Sequence, residues 1–243
     1  SGKVAIITGG DSGIGRAVAY AYAKEGADIA IAFLDEEQDA KETKKRIETL
    51  GTRCILLPGD LRIESQCQQV VANTMQAFGK IDILVNNHAV QFPQQPILDI
   101  TAQQLENTFQ INLFSFFYMV KAVLPHLPEN SSIINTSSVT AYKGDEILLD
   151  YSASKGAIVS FTRSLALSLA KMKIRVNSVA PGPIWTPLIP ASFTEEKVKN
   201  FGADTPLGRA GQPYELAAAY VYLASCDSTY VSGQVLHVNG GAV

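Results

Sequence analysis

Read for apolar and polar positions alone, the chain is a series of short apolar runs, each closed by small or polar residues and followed by a longer segment of helical spacing. Residues 3–8 read as a first strand that ends in Gly9-Gly10-Asp11-Ser12-Gly13-Ile14-Gly15. Alanine-rich 16–25 then reads as a helix stopped by Gly26. A second strand over 29–33 leads to Asp35 and Gln38, spaced as a capping box, and to a charged helix that Gly51 ends. A strand at 54–57, a helix at 64–78 and a strand at 81–85 follow, the last ending in Asn86-Asn87. Thr101 and Gln104 can cap a long helix reaching 124, after which 132–135 gives a fifth strand with Ser137-Ser138 just beyond it.

Residues 151–171 predict a helix that is apolar or small on most of its circumference (Ala153, Ala157, Ile158, Phe161, Leu165, Leu169). One sheet face does not require so much, so a second subunit is expected against it. A sixth strand at 174–179 precedes the break Pro181-Gly182-Pro183 and a long irregular region with one helix from Glu195. Pro213 suits a helix's first turn, and 234–238 closes the series as a last strand.

This alternation predicts an α/β fold: a doubly wound, Rossmann-type parallel sheet of about seven strands with helices on both faces. It predicts one domain over 1–243, with a functional loop or lid at about 183–211. Ligands of such sheets lie beyond the carboxyl ends of the strands.

Composition narrows the function classes. At 243 residues and 47% hydrophobic content, the chain can bury a large core. Twenty basic residues against 23 acidic ones give −3, with no basic block to track a phosphate backbone, so no nucleic-acid partner is expected. Cys54, Cys67 and Cys226 form no C-x-x-C, and His88, His126 and His237 form no ligand-spaced pair, so reduced thiols and no metal are expected. The longest apolar runs are strand-sized, which predicts no membrane span and a cytoplasmic protein. The chain opens at Ser1-Gly2 without a methionine, which leaves an N-terminal extension open.

Chemistry concentrates at Tyr151-Ser152-Ala153-Ser154-Lys155. Residues at i and i+4 share a helix face, so the phenol and the ammonium can enter one pocket, where a fixed positive charge favours phenolate. The plain alternative is a tyrosine packed on a lysine stem. Gly9-x-x-x-Gly13-x-Gly15 lies where absent Cβ atoms let backbone approach a pyrophosphate at a helix N-terminus, although the spacing is not G-x-G-x-x-G. A tight strand-to-helix turn alone would also need these glycines.

Together, Thr8-Gly9-Gly10-Asp11-Ser12-Gly13-Ile14-Gly15, Asn86-Asn87-His88-Ala89, Asn112, Ser138, Tyr151-x-x-x-Lys155, Pro181-Gly182 and Asn239-Gly240-Gly241 resemble the classical short-chain dehydrogenase/reductase family from end to end. Within it, the chain is most similar to bacterial general-stress and glucose/ribitol-dehydrogenase-like oxidoreductases. The resemblance implies that Tyr151 is the acid/base and that Ser138 bonds the substrate oxygen. It also implies that Lys155 lowers the Tyr151 pKa and holds the nicotinamide ribose, and that Asn112 anchors a relay water. Cofactor contacts are implied at Gly9, Asp11, Ser12, Gly13, Ile14, Gly15, Leu34, Asp60, Leu61, Asn87, Ala89, Thr136, Tyr151, Lys155, Pro181, Gly182, Ile184 and Thr186. A homotetramer is implied as well.

One departure is visible. The family's Asn-Asn-Ala-Gly is here Asn86-Asn87-His88-Ala89, and His88 is expected to be a pocket wall. Val90, Phe92, Tyr142, Trp185, Leu188 and Ile189 are expected to line an apolar substrate pocket.

The expected activity is interconversion of a secondary alcohol and a carbonyl with NAD(P). The alternatives are an NADPH-dependent 3-oxoacyl-thioester reductase and a catalytically silent nucleotide sensor or scaffold. NAD is expected over NADP: the resemblance implies that Ser12 and Leu34 stand where the family's NADP users place a cation, and Asp35, Glu36 and Glu37 cluster nearby.

Overall fold

The structure, a computed structural model, describes residues 2–94 and 96–242. It alternates β1 (Val4–Thr8), α1 (Gly13–Lys24), β2 (Asp28–Phe33), α2 (Glu37–Thr49), β3 (Cys54–Pro58), α3 (Glu64–Phe78) and β4 (Ile83–Asn86). The second half runs α4 (Ala102–Phe109), α5 (Ser115–Val123), β5 (Ser132–Thr136), α6 (Thr140–Lys143), α7 (Leu149–Leu169) and β6 (Arg175–Pro181). It closes with α8 (Leu188–Ser192), α9 (Glu195–Lys199), α10 (Pro213–Ala224) and β7 (Val235–Val238).

All seven strands are parallel, in the order β3-β2-β1-β4-β5-β6-β7. The chain builds outward from β1 to β3 and then returns to place β4 on the other side of β1. The strand order therefore reverses between β1 and β4, which opens a crevice at their carboxyl ends.

Alternate residues of β1 explain why the sequence reads as an unbroken apolar run. Ala5 and Ile7 enter a core with Val18, Tyr22, Leu216 and Tyr220 on the α1/α10 face. Ile6 enters a second core with Val70, Met119 and Leu169 under α3, α5 and α7. Both faces are dry, so both alternations must be apolar.

The expected capping box at Asp35 and Gln38 does not form. The charged helix begins at Glu37, and no side chain caps it. Thr101 does cap α4, accepting from the Gln104 N–H at 3.0 Å. The single helix expected to reach 124 is instead α4 and α5 joined by a π-helical turn, Gln110–Phe114. Asn112 lies in that widened turn, where its amide is drawn toward the chain after β4. The helix expected over 151–171 is α7, which starts two residues earlier and ends at Leu169. The short helices α6 and α8 were not legible in the pattern.

Both ends of the irregular region after β6 are pinned together. Ile184 pairs with Gly211 in an isolated parallel bridge, the Trp185 N–H donates to the Gly211 carbonyl, and the Gly211 N–H donates to that of Pro183, each at 2.9 Å.

Candidate active site

At the strand-order reversal lies a cavity of about 750 Å³. Its floor begins at the loop after β1, where Gly9 and Gly13 adopt φ of +65° and +52°. Those are angles that a side chain disfavours. The Ser12 side chain caps none of the first-turn amides of α1, so these N–H groups are left to meet an anion.

Gly15 does something different from what the sequence implied. A Cβ there would lie 2.0 Å from the Gly9 carbonyl oxygen. It is needed where helix and loop pack together, and it does not line the cavity.

The other implied cofactor positions do converge. Gly9, Asp11, Ser12, Gly13, Ile14, Leu34, Asp60, Leu61, Asn87, Ala89, Thr136, Tyr151, Lys155, Pro181, Gly182, Ile184 and Thr186 all line this one cavity. Leu61 also packs into the core beneath. The Asp60 carboxylate is also paired within the protein. It accepts from the Arg62 Nε and Nη2 and backbone N–H at 2.6–3.0 Å, and Arg62 Nη1 reaches Asn107 Oδ1. Arg62, a cavity residue missed in the sequence, stands two places from its partner.

On the loop side of the cleft, polar groups are closely paired. The Asn87 N–H donates to Thr8 Oγ1 at 2.9 Å, and the Asn87 amide reaches the Thr8 carbonyl at 3.3 Å. Asn112 is fully buried. Its Oδ1 accepts from the Val90 N–H at 2.8 Å, and its Nδ2 donates to the Val90 carbonyl at 2.9 Å and to Ser154 Oγ at 3.1 Å. Both amide hydrogens are thus committed to protein, so the side chain clamps the loop after β4.

The helix side carries Ser138, Tyr151 and Lys155. The first turn of α7 is anchored by Asp150, which accepts from Thr108 Oγ1, Gln104 Nε2 and the Tyr151 N–H. One turn on, the Lys155 carbonyl accepts from Ser137 Oγ at 3.0 Å, fixing the helix to the end of β5. Ser138 Oγ accepts from both the N–H and the hydroxyl of Thr140 at 3.1 Å, which leaves its own proton to donate into the cleft.

Lys155 is 1% exposed, and its ammonium donates to the Thr136 carbonyl at 2.9 Å. It lies 5.4 Å from the centre of the Tyr151 ring.

The electrostatics reverse one expectation. Tyr151 was expected to sit below the ordinary phenol value because of Lys155. Burial instead pushes it up to about 12, with only the Ser138 hydroxyl pulling the other way. Burial also brings Lys155 down to about 7. A buried ammonium and a buried phenolate are both disfavoured by lost hydration, and the lysine's hydrogen bond goes to a backbone carbonyl. In this state Tyr151 keeps its proton at neutral pH.

The substrate end is lined by Val90, Gln91, Ser138, Thr140, Leu148, Leu188 and Ile189. Three aromatic residues expected there are elsewhere. Tyr142 packs edge-on against His237 and Trp185 against Phe201, while Phe92 lies outside the cavity lining. Cys54 and Cys67 are buried thiols raised to about 12, and among the described residues no cluster of metal-binding side chains occurs. No described helix is long and apolar enough to cross a membrane.

A family model described as enoyl-(acyl carrier protein) reductase matches residues 9–243. General stress protein 39 of Bacillus subtilis (strain 168) is 58% identical over 240 residues, covering 99% of this chain and 84% of the relative. The chain belongs to the short-chain dehydrogenase/reductase family.

Two plant members of the short-chain dehydrogenase/reductases agree in sequence. The glucose and ribitol dehydrogenase of Daucus carota is 54% identical, with 100% of this chain and 85% of the relative covered. The chloroplastic NADPH-dependent aldehyde reductase 1 of Arabidopsis thaliana is 56% identical, with 100% and 86% covered. A Burkholderia cenocepacia J2315 short-chain dehydrogenase in complex with NADP superposes with a TM-score of 0.93 at 30% identity, over 100% of this chain and 98% of that one. This chain is therefore an NAD(P)-dependent oxidoreductase of alcohol and carbonyl groups.

Proposed function

We propose that the cleft reduces a small carbonyl compound to a secondary alcohol, and runs the reverse reaction, with Tyr151 as the proton donor and acceptor. The carrying observation is the joint placement of Ser138, Tyr151 and Lys155 on one wall of the cavity that begins at the glycine loop. A bound nicotinamide supplies the hydride acceptor or donor. Tyr151, protonated in this state, gives its proton to the carbonyl oxygen, and Ser138 donates a second hydrogen bond to the same atom. Lys155 returns positive charge to the site when its ammonium turns toward a ribose hydroxyl. Residues 183–211, hinged on the Ile184–Gly211 bridge, form the lid.

NAD is the proposed cofactor. Glu36 and Asp11 line the end of the cavity beside Leu34, while the two arginines nearest that end are engaged, Arg16 with Asp39 and Arg62 with Asp60. A 2′-phosphate would meet carboxylates before it met a free cation. The named NADPH-dependent relative makes this a sharp comparison.

A cytoplasmic homotetramer is proposed from exposed apolar residues on the α5 and α7 helices, Phe117 and Leu167, the latter 82% exposed. Light scattering that gives a monomer at micromolar concentration contradicts it.

The test of function is a panel of sugars, small aldehydes, ketones and 3-oxoacyl thioesters, read by nicotinamide absorbance with each cofactor. Turnover of a small carbonyl with NADH is expected. A preference of tenfold or more for NADPH, about 1.4 kcal/mol, overturns the cofactor choice, and turnover of the thioester alone overturns the substrate class.

A further inference from the structure

His88 is where this chain departs from the family pattern, and its ring is held at both nitrogens. Nδ1 lies 2.7 Å from Thr8 Oγ1 at the end of β1, and Nε2 lies 2.8 Å from Ser115 Oγ, the first residue after the π-helical turn. The Ser115 proton is already given to the Ile111 carbonyl at 2.5 Å, so Ser115 Oγ can only accept from the ring. Nε2 therefore carries a proton. Thr8 Oγ1 accepts from the Asn87 N–H at 2.9 Å, and its own proton faces Nδ1 at 2.7 Å and the Val85 carbonyl at 3.3 Å; the shorter contact fits an unprotonated Nδ1.

The ring also packs on Phe116, with centroids 5.3 Å apart, and Phe116 lies 6.0 Å beneath the Lys155 ammonium. A Cβ on Gly9 would meet the Cα of His88 at 3.2 Å, so the imidazole's own backbone presses on the cofactor loop.

We infer that His88 is a positioning residue: a neutral, Nε2-protonated imidazole that ties the glycine loop at Thr8 to the π-helical turn bearing Asn112, and so sets the cofactor-facing backbone of residues 87–90. The charged groups that bear on it are Lys155 and Asp60. Burial, and after it Lys155, disfavours the imidazolium, while the Ile111 carbonyl and then Asp60 act in its favour. A second positive charge behind Phe116 would compete with the one the site needs at Lys155, and a ring that stays neutral avoids that conflict.

Two independent measurements test this. Imidazole ¹⁵N spectra, assigned with His126→Gln and His237→Gln, should show His88 as a single Nε2–H tautomer without titration from pH 9 to pH 5. A ring that titrates near the ordinary value of 6.5, or that populates the Nδ1–H form, overturns the assignment whatever the reaction proves to be. Cofactor affinity, read by nicotinamide fluorescence on binding, should weaken roughly tenfold in His88→Ala, in the range found for coupled neighbours. His88→Gln, which can still accept and donate, should recover part of the loss.

The effects of Thr8→Val and Ser115→Ala on that affinity should be non-additive in the wild-type background and additive with His88→Ala. Affinity within twofold of wild type in His88→Ala, or additivity in both backgrounds, overturns the tie. If His88→Ala does not fold, the tautomer measurement on the unmodified protein decides alone. A neutral, fixed ring in a protein that binds no nicotinamide would leave His88 in place and remove the cofactor reading instead.

Discussion

The two walls of the cleft are built on opposite principles. On the loop side, Thr8, Asn87, His88 and Asn112 exchange hydrogen bonds until their polar groups are spent within the protein. On the helix side, Tyr151 keeps its proton far above neutrality and Lys155 holds its own only to about 7, with a single carbonyl partner. The first wall is at rest, and the second is held in a state that a bound ligand would relieve. Scaffold and reactivity thus fall to different walls of one cavity. Stabilising interactions gather where nothing needs to move, and unfavourable burial gathers where charge must shift during the reaction.

If that division holds, substitutions on the two walls fail differently. Tyr151→Phe keeps the ring and removes only the ionisable oxygen, so turnover should fall by roughly 10²–10⁴-fold while the unfolding temperature and cofactor affinity hardly change. A variant that keeps a tenth of the wild-type rate would remove Tyr151 from the chemistry. Asn112→Leu should do the reverse. It leaves the partly buried N–H and carbonyl of Val90 without their partners, and a loss of about 1–3 kcal/mol in stability is expected from the denaturant midpoint. An unchanged midpoint would show that the loop-side network is ornamental. Gly15→Ala should cost about 1–3 kcal/mol in stability, through the forced shift of the Gly9 carbonyl. Cofactor affinity should fall with it, and a variant that binds normally would mean the turn relaxes freely.

The sequence carried the scaffold better than the site's interior. Strands of four to seven residues, separated by glycine breaks and helical spacing, announced the sheet because both faces of each strand had to be apolar. The π-helical turn was invisible, since Gln110–Phe114 contains no glycine or proline and differs from its flanks only in hydrogen-bond partner. The partners of His88 were equally hidden, because Thr8 lies 80 positions away and the pairing exists only once β1 and β4 are adjacent. Phe92, Tyr142 and Trp185 were near the cleft in sequence but outside it in space, because aromatic character does not say which way a loop side chain turns. The Tyr151 pKa direction was misjudged for a related reason. A charge four residues away is legible, whereas the depth of burial that outweighs it is not. Arg62 could have been read, since Asp60-x-Arg62 places an anion and a cation at the end of β3, within reach of each other.

Lys155→Met tests the contrast between the walls most directly, through its stability in the absence of cofactor as a function of pH. The folded-state value of about 7 lies below the ordinary 10.5. Between those values the unfolded chain holds a proton that the folded chain has released, so this group makes the wild type more stable as pH rises. Below pH 7 both states hold the proton, and the full penalty of burying the charge is present. Methionine has no such titration, and the lost bond to Thr136 contributes a pH-independent offset. The stability of wild type relative to Lys155→Met should therefore be lowest below pH 7 and climb steadily toward pH 10.5. A difference that stays flat across that range would show that Lys155 is not held uphill, and would contradict the account of the helix-side wall.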